Sequence, residues 1–409
     1  MDDYSNTSSV CKELEPSVQN WAIYAVFGAF VLTGILSEYG FNTLASLFDS
    51  KMLSSFFAIA ETTIIAIAFI IIAHRRRGMV TWQVMLAGCA FCIYFISNAF
   101  CEIKVLMTNL IMLIMICESD LDDLCKSFFI ASIAAVSLLL ILTSCGIGYN
   151  RDEIPNGRLV FAYGLRHPNS TAALLLSAMC SMAYYYWDKR SWPGSFVMSA
   201  ICAGFSYLTL SSNAATVLLM LLSIAILLGH TRFATIIIER HSTGLSVAVI
   251  LTVLVLFMLM FFGTIFYSKD NTVWSILDNL THSRIMFSHG HFIQNDGFTL
   301  FGRQSFSPNY LHTGEQIHVL DSGYSRLSLI HGLASAVVIF LMYLIANIRL
   351  SKSPKYICVI AIFTIYALHM LIETHALYLC GCFAVVFLSS CFSDDPNLGR
   401  NQVHGPQRS

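Results

Sequence analysis

Long apolar runs follow one another along almost the whole chain, separated by short polar or charged stretches. Examples are IIAIAFIIIA at 64–73, VSLLLILTSC at 136–145 and VLLMLLSIAILL at 217–228. A helix needs about 20 such residues to cross the hydrocarbon core of a bilayer. The runs do not alternate between apolar and polar positions as the strands of membrane barrels do. The pattern therefore predicts an all-α polytopic membrane protein, with residues 1–409 forming a single polytopic domain.

We predict about 12 transmembrane helices from the ~20-residue length that a span requires. Their expected limits are 21–39, 52–73, 79–97, 103–117, 127–148, 169–187, 193–210, 213–229, 244–267, 323–347, 356–373 and 375–392. The composition agrees, since 56% of the residues are hydrophobic and only 11% are charged. The polar intervals between and after these spans include a first loop at 150–168, one long loop at 268–322 and a tail at 393–409.

The distribution of Lys and Arg predicts the orientation, because cytoplasmic loops retain an excess of these residues. Placing the run Arg75-Arg76-Arg77 inside puts most of the 23 basic residues on the cytoplasmic side. Both termini and the 393–409 tail are then cytoplasmic, and the two loops are extracytoplasmic.

Basic residues predicted to lie outside concentrate in or beside the two loops. Apart from Lys51 and Lys104, they are Arg151, Arg158, Arg166, Lys269, Arg284, Arg303 and Arg326. Because topology rules disfavour positive charge there, an anionic ligand at the outer face is the simplest physical reason for it.

The first loop contains RLVFAYGLRHPN at 158–169, which leads into a predicted helix. Pro168 suits the first helical position, and His167 lies close to the N-cap. Arg158, Arg166 and the free amides of this helix can converge on one oxyanion. The two arginines suit the phosphates of membrane lipids equally well, so both interpretations stay open.

The long loop carries HSRIMFSHGHF, which predicts a short amphipathic helix with Ile285, Met286 and Phe292 against the bilayer surface. Its His289-x-His291 pair lacks further ligands at suitable spacing, so we predict no metal site. Asp321, where the chain re-enters the membrane, is either a general base or the N-cap of a helix that begins near Gly323.

Two further features lie in predicted spans. Glu61, in the middle of its span, is either a structural hydrogen-bond partner or part of a channel. His369 and Glu373 share a helix face, and either line an outer cavity or close a tight helical hairpin. The sequence contains no P-loop and no nucleotide-sugar motif, which argues against ATP hydrolysis and cytosolic sugar-nucleotide chemistry.

Several motifs resemble those of the Wzy-type polysaccharide polymerases of bacteria, which build O-antigen, capsule and exopolysaccharide, and of the related O-antigen ligases. The resemblance covers roughly 150–392. It rests on Arg158 with the Gly-x-x-His-Pro-Asn element that ends at Asn169, and on four later elements. These are Ser283-Arg284-Ile285, Leu300-Phe301-Gly302, Leu320-Asp321-Ser322-Gly323-Tyr324 and Gly332-Leu333. Glu373 matches an acidic residue often found in the penultimate helix of the family, whereas the Ser-Arg expected at 212–213 is Ser212-Asn213.

The resemblance implies a GT-C-like glycosyltransferase of the bacterial cytoplasmic (inner) membrane that works without metal or other cofactor. Its substrate would be oligosaccharide repeats on undecaprenyl pyrophosphate, and a chain-length regulator is a partner it allows; no nucleic acid is expected. Arg284 would grip the pyrophosphate, and Asp321 stands where the ligases have a catalytic His. We assign both as catalytic. The candidate substrate-binding residues are Arg158, Arg166, His167, Asn169, Arg303, Tyr324 and Glu373.

Two alternatives remain beside the polymerase. An O-antigen-type ligase would share the fold and the donor, but Asp rather than His at position 321 argues against it. A lipid-linked oligosaccharide flippase or other transporter would show inverted repeats and ionisable groups along a midplane path. The sequence shows no such symmetry, and Glu61 is the feature that favours transport.

Overall fold

The computed structural model describes residues 6–75, 81–96, 101–147, 152–153, 160–165, 167–210, 212–302, 309–310, 316–317, 320–374 and 377–394. Within these ranges the chain is helical, apart from two antiparallel pairs of two-residue strands. The first elements are α1 (Asn6–Glu38), α2 (Phe41–Ala45), α3 (Ser50–Arg75), α4 (Trp82–Ile96), α5 (Cys101–Ile116), α6 (Leu121–Ser144), β1 (Asp152–Glu153) and β2 (Val160–Phe161). Next come α7 (Pro168–Tyr186), α8 (Trp192–Leu208), α9 (Asn213–Gly229), α10 (Arg232–Phe266), α11 (Thr272–Leu280) and α12 (Arg284–Gln294). The last are β3 (Asn309–Tyr310), β4 (Gln316–Ile317), α13 (Gly323–Leu329), α14 (Leu333–Leu350), α15 (Tyr356–Ile372) and a 3₁₀ helix (Phe383–Phe392).

Five of the described helical segments are long and apolar enough to cross a membrane. They are Asn20–Glu38, Ser50–Arg75, Leu121–Ser144, His241–Phe266 and Leu333–Leu350. No more than 39% of the most apolar window of any of these segments is buried inside the protein. Outward-facing side chains such as Ile59, Ile70 and Val255 are more than half exposed. So large an apolar surface indicates a membrane protein, while the finer count of about 12 spans stays a prediction.

One predicted span, 323–347, is divided into α13 and α14. The break falls at Gly332, whose φ of 90° lies in the left-handed region that favours glycine. A Cβ there would meet the Gly302 backbone nitrogen, so the Leu300–Gly302 element packs directly into the break. The amide nitrogens of Leu333 and Ala334 donate to the carbonyls of Thr299 and Leu300 at 3.0 Å. The long loop is thus tied to the start of α14.

Another predicted span, 375–392, contains the 3₁₀ helix, which lies in the hydrophobic core. Phe383 packs on Phe128 with ring centroids 5.5 Å apart, and Phe387 packs on Phe363 at the same distance. The Phe383 amide donates to Ser177 Oγ at 2.8 Å. A helix that is apolar on every side is buried among others, and this segment holds α6, α7 and α15 together.

Helices α7 and α15 run antiparallel and are connected at both ends. At one end Asn169 Nδ2 donates to Glu373 Oε1 at 2.9 Å. At the other, Lys355 Nζ approaches the carboxylates of Asp122 at 2.5 Å and Asp188 at 3.1 Å, and donates to the Tyr184 carbonyl at 3.4 Å. These contacts fix the position of α15 along the axis of α7, and with it the position of Glu373 beside the first turn of α7.

The described part of the 268–322 interval is largely folded. Asn271 caps α11, because its Oδ1 accepts from the amides of Val273 at 3.0 Å and Trp274 at 3.3 Å. The amphipathic helix predicted in HSRIMFSHGHF is α12. Ile285, however, is fully buried against Gly263 of α10. The prediction that it faces the bilayer surface is wrong, because α12 turns this side chain toward α10.

Candidate functional site

Four chain segments meet at one end of the bundle and bring polar side chains together. Arg284 is the first residue of α12, and Asp321 directly precedes Ser322, the N-cap of α13. Glu373 follows the last residue of α15, and Asn169 lies in the first turn of α7. The described residues therefore include a candidate site built from sequence positions more than 200 residues apart.

An ion pair joins Arg284 to Asp321. Arg284 Nη2 lies 2.9 Å from Asp321 Oδ2, and the two side chains are 15% and 32% exposed. Arg284 Nε also donates to the Ile372 carbonyl at 3.2 Å. The guanidinium thus links the segment before α13 to the end of α15, and a small part of the side chain remains exposed.

The backbone before Arg284 is held in an unusual conformation. His282 and Ser283 have φ values of 53° and 64°, in a region that non-glycine residues rarely occupy. The turn is fixed by Asp278, whose carbonyl accepts from the Ser283 amide at 2.8 Å and whose Oδ1 accepts from the Met286 amide at 2.8 Å. Strain of this kind persists where the surroundings enforce it, and it clusters at functional sites.

Asp321 is not the N-cap of α13, so that alternative is wrong. The cap is Ser322, whose Oγ accepts from the Ser325 amide at 3.5 Å and donates to the Met370 carbonyl at 3.2 Å. The cap shifts by one residue because α13 begins at Gly323. The side chain of Asp321 is thereby left to pair with Arg284.

Tyr324 and Gly323 pack α13 against α15. The Tyr324 hydroxyl donates to the Ala367 carbonyl at 3.0 Å, and the residue is 3% exposed. A Cβ on Gly323 would lie 3.1 Å from the Glu373 carbonyl oxygen. The structure therefore places the Tyr324 side chain behind the site, where it supports the segment that carries Asp321.

Glu373 lies beyond the end of α15 and is 9% exposed. Burial, together with the negative charge of Asp321, raises its pKa to about 7, against the lowering effects of Arg284 and the Asn169 hydrogen bond. Asn169 is itself held by the start of α7, where its amide donates to Nδ1 of the N-cap His167 at 3.1 Å. The structure confirms His167 as the N-cap and Pro168 as the first helical residue.

Burial also raises the pKa of Asp321, and the neighbouring side chains Arg284, His167 and Arg326 counter part of that rise. The sequence places Arg326 among the outer basic residues without assigning it a role at the site. The signal in the sequence is its position on α13, the helix that directly follows Asp321. Arg326 lies over the Tyr378 ring, 6.0 Å from the ring centroid.

Three predicted site residues, Arg158, Arg166 and Arg303, lie outside the described residues, as does His375. The other six, Arg284, Asp321, His167, Asn169, Tyr324 and Glu373, lie together around the end of α15. The prediction that two arginines converge on the α7 N-terminus stays a prediction.

The histidines of α12 belong to its packing. His289 Nδ1 lies 2.9 Å from the Thr264 carbonyl, and His291 is 2% exposed. Within the described ranges, no group of three His, Cys, Asp or Glu side chains could hold a metal ion. Glu61 accepts a hydrogen bond from Thr108 at 3.2 Å and lines a cavity of about 60 Å³ that also contains Glu38.

Function therefore rests on the geometry of the site, since no family model, no curated protein and no solved structure matches this chain.

Proposed function

We propose that this protein polymerises undecaprenyl-pyrophosphate-linked oligosaccharide repeats at the outer face of the bacterial inner membrane. The supporting observation is the meeting of Arg284, Asp321 and Glu373 at one end of an apolar helical bundle. Its sequence motifs resemble those of the Wzy-type polymerases, and the proposal includes their GT-C-like architecture of about 12 spans, the number that a ~20-residue span length gives. Both termini are cytoplasmic in this proposal, so the site faces outward.

The chemistry of this substrate suits the groups at the site. The donor is embedded in lipid, and its anionic pyrophosphate lies at the membrane surface, which the arginine can reach. Negative charge grows on the pyrophosphate as it leaves, and a guanidinium fixed by Asp321 and the Ile372 carbonyl is positioned in advance to neutralise it. A carboxylate beside the acceptor hydroxyl then permits an inverting displacement.

Purified lipid-linked repeats, supplied with no other acceptor, test the proposal. The wild-type protein is expected to lengthen them into a ladder of products, whereas Arg284→Ala and Asp321→Ala should form no polymer. Asp296→Asn is a matched control, because Asp296 is exposed and Asn tolerates its φ of 54°. Polymer of normal length from either alanine variant would contradict the site assignment.

The same experiment separates the related alternative. A ligase would leave lipid-linked repeats unchanged until a second acceptor is added, so elongation of the repeats alone argues against it. Failure of the wild-type protein to elongate them would overturn the polymerase proposal.

A flippase is the second candidate function, and the Glu61 cavity is the observation that favours it. A carboxylate that lines a cavity between α1, α3 and α5 is the kind of group that transport requires. In a deletion strain, repeats that accumulate facing outward would support the polymerase, and repeats that accumulate facing inward would support the flippase. Glu61→Gln should abolish flippase activity and leave the elongation of lipid-linked repeats unchanged.

A further inference from the structure

The two carboxyl groups of the site have different partners. Asp321 contacts the full positive charge of Arg284 at 2.9 Å and is about one-third exposed. Glu373 accepts a hydrogen bond from Asn169 Nδ2 at 2.9 Å and is more deeply buried. A contacting guanidinium stabilises the carboxylate form and weakens it as a proton acceptor, whereas deeper burial disfavours the charged form and makes the carboxylate a stronger base.

We propose that Glu373 is the general base of the transfer, and that Asp321 positions the guanidinium of Arg284 instead of accepting the proton. This inference rests on the proposed glycosyl transfer. It gives Glu373 the role that the family resemblance places at Asp321. Arg284 fixes the position of the two carboxyl groups relative to each other, because it contacts the Asp321 side chain and the carbonyl of Ile372, the residue before Glu373.

The step balances with Glu373 as the base. The acceptor hydroxyl oxygen attacks the anomeric carbon of the donor sugar, and a new glycosidic C–O bond forms. The bond from that carbon to the pyrophosphate oxygen breaks, and the electron pair leaves with the polyprenyl pyrophosphate beside Arg284. The hydroxyl proton passes to the Glu373 carboxylate, which afterwards releases it to water.

Charged and titratable side chains lie on every element around the site. They are His167 on α7, Arg284 on α12, Asp321 and Arg326 at α13, His369 on α15 and Tyr378 after it. Burial and the negative charge of Asp321 raise the pKa of Glu373 to about 7, against the lowering effects of Arg284 and the Asn169 hydrogen bond. A general base with a pKa near the working pH is largely deprotonated and still accepts a proton readily. Where two carboxyl groups have different environments, one commonly serves as the base and the other stays ionised.

The rate of transfer should depend on the protonation state of Glu373. Below its pKa of about 7, Glu373 is protonated and cannot accept a proton, so the rate should rise as pH increases through this range. Asp321→Asn removes the negative charge that helps to raise the pKa of Glu373, so the rise should move to lower pH. Glu373→Gln should remove it altogether.

The test uses the full chain in lipid nanodiscs with purified lipid-linked repeats, and measures kcat and KM from about pH 5 to about pH 9. Glu373→Gln is expected to lower kcat by about 10²- to 10⁴-fold with KM for the donor little changed, as loss of a general base does. Asp321→Asn should raise KM and retain the pH-dependent rise at lower pH. Asp296→Asn, at an exposed carboxyl, should match the wild type.

Infrared titration of the carboxyl groups supplies a readout that needs no substrate. The wild-type protein should lose a protonated-carboxyl band with a midpoint near pH 7, and Glu373→Gln should lack that band. If the wild type elongates repeats while Glu373→Gln keeps its rate within about threefold and its pH profile, the base assignment alone fails. If the wild type does not elongate repeats, the proposed function fails, and the assignment falls with it.

Discussion

Single side chains at the site depend on one another for their charge. Asn169 lies between the His167 cap and Glu373, so the fold of the α7 N-terminus acts on the ionisation of a carboxyl 204 residues away. Asp321 acts on the same carboxyl in the opposite sense, because its negative charge raises the pKa that the Asn169 hydrogen bond lowers. Each of these effects can be removed by one substitution.

Asn169→Ala removes the hydrogen bond that stabilises the charged form of Glu373. Because a net hydrogen bond contributes about 0.5–1.5 kcal/mol and one pKa unit corresponds to about 1.4 kcal/mol, the pKa should rise by roughly 0.4–1 unit. Infrared titration measures this shift, and the rise of rate with pH should move up equally. Asn213→Ala, at an exposed Asn that begins α9, is the control. An unchanged midpoint in Asn169→Ala would contradict the coupling.

Gly323→Ala tests how closely the Asp321 segment must approach α15. The new methyl would lie 3.1 Å from the Glu373 carbonyl oxygen and 3.3 Å from Met370 Cγ, so the two segments should separate by a few tenths of an ångström. A displacement of this kind is expected to lower kcat by about 10-fold or more, since catalytic groups tolerate little misplacement. Gly204→Ala in α8 meets no atom within 4 Å and should keep full activity. Equal activity of both variants would contradict the close approach.

The site residues show which contacts a sequence can predict. His167 and Pro168 were placed correctly, because capping depends on residues only two or three positions apart. Asp321 was offered as a cap one position too early, since Ser322 competes for that role locally. The Asn169–Glu373 bond could not be predicted, because a pair so distant in sequence depends on how α7 and α15 pack.

At the level of whole elements, apolar length alone did not predict which segments form long outward-facing helices. Predicted spans 323–347 and 375–392 are as apolar as the others, yet one breaks at Gly332 and the other contains a buried 3₁₀ helix. Both differences arise from tertiary contacts, with the Leu300–Gly302 element in the first case and with Phe128 and Phe363 in the second. An apolar segment is removed from water equally well by lipid and by the protein core, so its hydrophobicity does not show which of the two surrounds it.

Lys355 is expected to secure the end of α15 opposite the site. Lys355→Met would leave Asp122 and Asp188 without their shared cation, and loss of one partner from a buried pair costs about 3–5 kcal/mol. Because the two carboxylates are 29% and 55% exposed, solvent screening should reduce this to about 2 kcal/mol. Thermal unfolding in detergent measures the loss. Lys352→Met, at an exposed lysine of the same connection, should unfold like the wild type, and an equal loss in both would contradict the prediction.

On the scale of the whole molecule, the site and the Lys355 cluster lie at opposite ends of α7 and α15. Apolar side chains cover the outward faces of the long helices between them. A bundle of this kind separates the end where Arg284, Asp321 and Glu373 meet from the end where Lys355 pairs with Asp122 and Asp188. The proposed function requires the first of these ends to face outward.

Labelling from the two sides of the membrane tests that orientation. In a variant without its native cysteines, Lys269→Cys places a thiol at the exposed turn between α10 and α11, near the site end, and Lys352→Cys places one at the opposite end. A membrane-impermeant maleimide added to intact cells should label position 269 readily, and position 352 only after permeabilisation. The reverse pattern would put Arg284 and Glu373 in the cytoplasm, where an outward-facing polymerase cannot use them, because the lipid-linked repeats that it elongates lie on the other side of the bilayer.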